Sequence, residues 1–169
     1  MFQKTLSFIP RCTAIAVLPV ALTVLVSCTE PVGNDGTIDA LFPAECSTVQ
    51  GSPGNCAPLA ACLEGGEIFT GAATGWLKGS FSGETSSGVQ CTGTWKVQSK
   101  IGNYGTADIS CSDGREGSAR FAYADFASHT VWGDGELSGG GKLKVWAGPG
   151  LKERLNRNYR TASAVCSGF

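Results

Sequence analysis

The sequence predicts an all-β fold: a small antiparallel meander of about seven strands, curled into a barrel-like or strongly twisted sheet, with a short disulfide-tied N-terminal cap and a C-terminal helix. Three observations carry this. From Glu67 onward, short runs alternating apolar and polar residues are separated by glycine-rich breaks, the period of half-buried strands. Glycine is abundant, 24 of 169 residues, and Gly71, Gly79, Gly93, Gly133 and Gly135 fall inside or beside those runs, where a missing side chain lets a sheet curve. The cysteines past the N-terminal region are even in number, as in a stapled exported domain.

At the N-terminus, Lys4 and Arg11 form a positively charged region ahead of a segment, Cys12 to Ser27, that carries no charge. That is the layout of a secretory signal. A membrane-spanning helix needs about 20 apolar residues, and Pro19 would bend one. The apolar run closes on Leu25-Val26-Ser27-Cys28, which resembles the lipobox of bacterial lipoproteins. The resemblance implies that residues 1–27 are a signal removed before Cys28. It also implies a thioether-linked diacylglycerol on Cys28 and a fatty acyl group, such as palmitate, on its new amino group. The chain would then be lipid-anchored in a bacterial cell envelope. Thr29 stands where an aspartate retains many family members at the inner membrane, so the implied destination is an outer membrane, facing the periplasm or the surface. Two or more acyl chains hold a protein stably where one does not.

Residues 28–44 read as a flexible tether, with breakers in Pro31, Gly33, Asn34 and Gly36. As a coil of about 16 residues it would span roughly 22 Å root-mean-square. Residues 45–169 are one domain's worth of chain. Of eight cysteines, Cys12 leaves with the signal and Cys28 takes lipid; Cys46, Cys56, Cys62, Cys91, Cys111 and Cys166 remain for disulfides. Their spacing lacks the short pairs of zinc sites, and no metal is expected.

Next, Gly51-Ser52-Pro53-Gly54 forms a loop and Asn55 an N-cap for a short helix through residues 57–61, completing the cap. Val89 to Val97 then alternates strictly, with Val89, Cys91, Trp95 and Val97 on one face. Paired backward, this strand places Phe81 opposite Cys91 and Leu77 opposite Trp95. Forward across Ile101-Gly102-Asn103, Ala107, Ile109 and Cys111 face inward, with Cys111 near Cys91. A Cys91–Cys111 bridge follows from that cross-strand proximity. The pairing among Cys46, Cys56, Cys62 and Cys166 stays open three ways. Asp113-Gly114 is a hairpin turn, leading to Ala119, Phe121 and Tyr123 as inward residues. In the last hairpin, a Ser138-Gly139-Gly140 loop pairs Glu136 with Lys142, Asp134 with Lys144 and Trp132 with Trp146 outside. Val131, Leu137, Leu143, Val145 and Ala147 then point inward. Past Gly148-Pro149-Gly150, Leu151, Leu155 and Tyr159 recur at helical spacing among Lys152, Arg154, Arg157 and Arg160.

The chemistry suggests binding more than catalysis. His129 is the single histidine. Gly79-Ser80-Phe81-Ser82-Gly83 has phenylalanine where a serine-hydrolase elbow needs its nucleophile. The phosphate-loop, zinc-peptidase and Cys-x-x-Cys patterns are missing. Asp108, Asp113, Glu116, Asp134 and Glu136 could supply paired carboxylates for hydrolysis of envelope sugars, but such residues also decorate any outer sheet face. They lack calcium-loop spacing. Thirteen basic against fourteen acidic residues give no field for nucleic acid. No cofactor is indicated.

The reading that best fits is a non-enzymatic envelope module, held to the membrane by its anchor. It would bind an envelope protein or peptidoglycan through an outward aromatic face of Trp132 and Trp146, with Trp76 on the same side. The C-terminal helix could instead cover that face. The alternative is a small-ligand carrier using a barrel interior, against which Phe81, Trp95, Phe121 and Tyr123 argue for a filled core. Intact mass with and without reduction, after alkylation, tests the frame: a doubly or triply acylated N-terminal Cys28 and six protected thiols are expected.

Overall fold

The computed structural model describes residues 36–42, 46, 51–98, 104–125, 130–167 and 169. All belong to a compact unit spanning 31–169. Cys28, His129 and the Ile101–Asn103 connection lie outside the described residues.

Eight antiparallel strands form a closed barrel in simple sequence order. They are β1 (Cys56–Leu63), β2 (Glu67–Trp76), β3 (Lys78–Thr85), β4 (Gln90–Val97), β5 (Tyr104–Cys111), β6 (Glu116–Asp125), β7 (Thr130–Leu137) and β8 (Lys142–Ala147). Strand β8 returns to β1, so no sheet edge is left open. Two helices follow, α1 (Leu151–Asn158) and α2 (Ala162–Val165).

The additional strand is β1, where a capping helix was expected. Residues 58–63 are buried without interruption. Leu59, Ala61 and Leu63 face the barrel core, and Ala60 and Cys62 lie under Leu151, Leu155 and Val165 of the helices. A strand covered on both faces shows no alternation, and a short apolar run is then ambiguous between strand and helix. Asn55 does not cap a helix. It ties the start of β1 to the end of β2, its amide donating to the Gly75 carbonyl at 3.2 Å while the Gly75 N–H donates back to its carbonyl at 2.9 Å.

Residues 38–42 are not a free tether. Ile38–Leu41 forms a 3-10 turn, and Ile38 and Phe42 are buried in the same outer cluster as Trp146, Leu151 and Leu155. The cysteine pairs are Cys46–Cys56, Cys62–Cys166 and Cys91–Cys111. The second holds the C-terminus to β1 across 104 residues of sequence, a loop whose closure in the unfolded chain is worth about 4–5 kcal/mol in the chain-entropy model. The third joins directly opposed residues of β4 and β5.

The last hairpin has the expected register, with Glu136 opposite Lys142, Asp134 opposite Lys144 and Trp132 opposite Trp146. The β3–β4 register differs by two residues: Phe81 lies opposite Gly93 and Cys91 opposite Gly83. The reason is steric. A Cβ on Gly93 would stand 2.2 Å from the Phe81 ring and 2.1 Å from the Asp108 carbonyl oxygen. The aromatic ring fills the space the glycine leaves. Phe121 does the same over Gly105 of β5, where a Cβ would stand 2.3 Å from its ring.

One end of the barrel is packed shut. Leu63, Phe69, Cys91, Cys111, Leu137 and Leu143 form one buried cluster there, and Phe69 meets Phe81 edge-on at 6.4 Å. Outside it, Arg115 binds Glu67 at 2.8 Å and Asp113 at 2.7 Å. Partial burial opposes the charge of Glu67. Hydrogen bonds from Arg115, Ser87 and Thr85, with the guanidinium charge, outweigh it and hold the carboxyl at about 2, below its ordinary 4.5.

Two outcomes follow. Gly93→Ala should lower stability by about 2–3 kcal/mol, since neither ring nor backbone can yield cheaply, as urea unfolding would show. The depressed Glu67 pKa stabilises the fold above about 4.5, and that contribution fades as the pH falls towards about 2. Arg115→Gln should therefore cost on the order of 1 kcal/mol at neutral pH and move the acid-unfolding midpoint upward.

Candidate functional site: the barrel interior

The strands alternate, so every second residue points into the barrel. Eight strands leave an interior that full-sized side chains can just fill. Here many inward positions carry no bulk: Gly71, Ala73 and Gly75 on β2, Gly93 on β4, Ala107 on β5 and Gly133 on β7. What remains is a cavity of about 320 Å³, within the range of small-molecule sites, which begins at about 300 Å³.

Its floor is Phe69, Ile109 and Leu143, which also belong to the closed-end cluster. Its walls are Phe81, Trp95, Phe121 and Tyr123, joined by Leu59, Val131 and Val145. The aromatic residues expected to fill the core instead surround the space. Opposite small residues they lean over glycines, as Phe81 does over Gly93, and leave the axis open. The Trp95 indole is fixed by its Nε1–H, which donates to the Thr74 carbonyl at 3.0 Å. The mouth lies at the other end, between Asn55, Trp76, Leu77, Val97 and Pro149.

No charged side chain lines this cavity among the described residues. An apolar cavity without charge disfavours ions, because an unpaired charge taken into it loses its hydration. The chemistry such a space can perform is sequestration of a neutral, largely apolar molecule.

The expected outer aromatic face is divided. Trp146 is 8% exposed, packed under α1 with Leu155 and Cys166, while its cross-strand partner Trp132 is 42% exposed. Lys144 lies 6.0 Å from the Trp146 ring centre. Trp76 belongs to another region, on β2 at the mouth. Tyr104, which the sequence did not single out, shares the outer row with Trp132, separated from it by Ala122. Asp108, Asp113, Glu116, Asp134 and Glu136 are all exposed and lie outside the cavity lining. Among the described residues, no group of three or more His, Cys, Asp or Glu is placed to hold a metal ion.

No family model matches the chain, and no curated protein matches it. Among solved structures it is similar to small designed barrels. A redesigned β-barrel, mFAP1, bound to DFHBI, is 14% identical with TM-score 0.45, over 55% of this chain and 91% of that one. A de novo designed fluorescence-activating β-barrel is 17% identical with TM-score 0.44, over 57% and 92%. A further redesigned barrel, b11L5F_LGL, is 13% identical with TM-score 0.45, over 60% and 97%.

Proposed function

We propose that this protein is a lipid-anchored envelope protein that binds a small, uncharged, apolar ligand inside its barrel, without catalysis. The observation that carries the binding is the cavity: about 320 Å³, walled by aromatic and aliphatic side chains and open at one end. A domain evolved only for rigidity gains by filling such space, since each missing methylene forfeits packing and burial. Strands β2, β4, β5 and β7 instead turn glycine or alanine inward beside Trp95 and Phe121. The envelope location rests on the Leu25-Val26-Ser27-Cys28 motif and on three disulfides suited to an oxidising compartment.

Recognition on the outer face is a second reading, favoured by one observation: Trp132 and Tyr104 are exposed on the same row. It loses Trp146, which the helix covers, and so the aromatic pair first expected there.

The test is titration with an environment-sensitive apolar dye. Binding with enhanced emission is expected, and Ala107→Phe, which places a ring in the cavity beside Trp95, should weaken it at least about tenfold, the loss of roughly 1.4 kcal/mol. Thermal unfolding of the variant should stay near or above that of the parent. Equal dye affinity in both proteins would exclude the interior as the site.

A further inference from the structure

The turn between β2 and β3 combines three unfavourable features that folding does not require. Leu77 has φ +62°, a left-handed conformation that favours glycine or asparagine. It is also 60% exposed, next to Trp76 at 39%, so two large apolar side chains stand in water. Immediately after them, Lys78 lies directly opposite Lys96 of β4, both exposed, and like charges in that position repel. The turn is nonetheless held firmly: the Val97 N–H donates to the Leu77 carbonyl at 2.7 Å.

These features occur at the mouth of the apolar cavity, which Trp76 and Leu77 line. Carboxylates concentrate at the opposite, closed end: Glu64, Glu67, Glu84, Asp113, Glu116 and Glu136 flank its turns, with Arg115 and Lys142 among them. Near the lysines, Asp108 lies two residues further along β5 than the Thr106 that faces Lys96, and Asp125 is at the mouth end of β6, two strands from β4. The barrel thus has a basic, apolar lip and an acidic base.

We propose that the Trp76–Leu77–Lys78 lip docks on the surface of an anionic lipid bilayer. Each unfavourable feature is relieved there. The apolar side chains leave water, tryptophan gains the interface it prefers, and each lysine gains an anionic partner at such a surface. The chain is short enough to allow it. Seven residues separate Cys28 from Gly36, where the described fold begins, and the eight Cα steps they make would reach about 28 Å when extended. Docking would open the cavity directly to lipid, so an apolar ligand need not cross water; that consequence, though not the docking itself, rests on the carrier reading.

The test uses the full chain with vesicles of phosphatidylcholine alone, or of phosphatidylcholine and phosphatidylglycerol in equal parts, both with brominated acyl chains that quench tryptophan on contact. The anchor is common to every arm. Quenching is expected with the anionic vesicles only, and it should disappear in Trp76→Phe and in the double variant Lys78→Glu, Lys96→Glu. Leu77→Asn should reduce quenching several-fold while its melting temperature equals or exceeds the parent's, an outcome a purely structural leucine would not give. Equal quenching in both vesicle types, quenching that survives Trp76→Phe, or a lowered melting temperature for Leu77→Asn would overturn the proposal. Dye binding separates the two readings, because Lys78 and Lys96 lie outside the cavity lining: quenching lost with dye binding kept in the Lys78→Glu, Lys96→Glu variant supports the docking, quenching kept in that variant removes it, and a parent protein that is quenched by anionic vesicles but binds no dye removes the carrier reading alone.

Discussion

The structure depends on close backbone approach at inward glycines. Strands of eight to ten residues can close a barrel only by bending sharply. At Gly133 the Arg120 carbonyl oxygen lies 2.0 Å from where a Cβ would be, so the bend is incompatible with any side chain there. The glycine at 93 meets the same constraint from Asp108 and Phe81. Closure and emptiness therefore have one cause. The residues that let the sheet curl are those that leave the axis unfilled, and the aromatic rings that lean over them become walls.

A second constraint acts on one side only. The α1 and α2 helices, the Ile38–Leu41 turn and the Cys62–Cys166 bridge together cover β1 and Trp146. This covering converts an amphipathic outer face into a second core, distinct from the barrel interior. It also holds the Ile38–Leu41 turn and Phe42 against the barrel wall. Elsewhere the outer face carries polar rows such as Arg120, Asp134 and Lys144 across β6, β7 and β8, beside the exposed Trp132 and Tyr104.

The two ends of the barrel are correspondingly unlike. The closed end is saturated: packed leucines, a disulfide, and an Arg115 ion pair that, with hydrogen bonds from Ser87 and Thr85, holds Glu67 at about 2. The open end keeps strain at Leu77 and exposes apolar surface. The packed closed end offsets the packing that the unfilled interior forgoes at the other end.

Local pattern in the sequence determined the strands whose two faces differ. Val89–Val97 and the 130–147 hairpin alternate because one face meets the core and the other meets water, and paired charges then settled the hairpin register. The helix at Leu151–Asn158 was legible for the same reason, at its own period. Only the tertiary structure decided the rest. Residues 56–63 are a strand because the helices cover their outer face, which erased the alternation that would have marked them. The β3–β4 register was set by a ring filling the space of a glycine on a neighbouring strand, a contact between residues 81 and 93 that no local period encodes. The cavity is more remote still. Sequence shows which residues face inward, but whether Phe81, Trp95, Phe121 and Tyr123 meet on the axis or stand around it depends on how sharply eight strands bend, and that is settled only when the barrel closes.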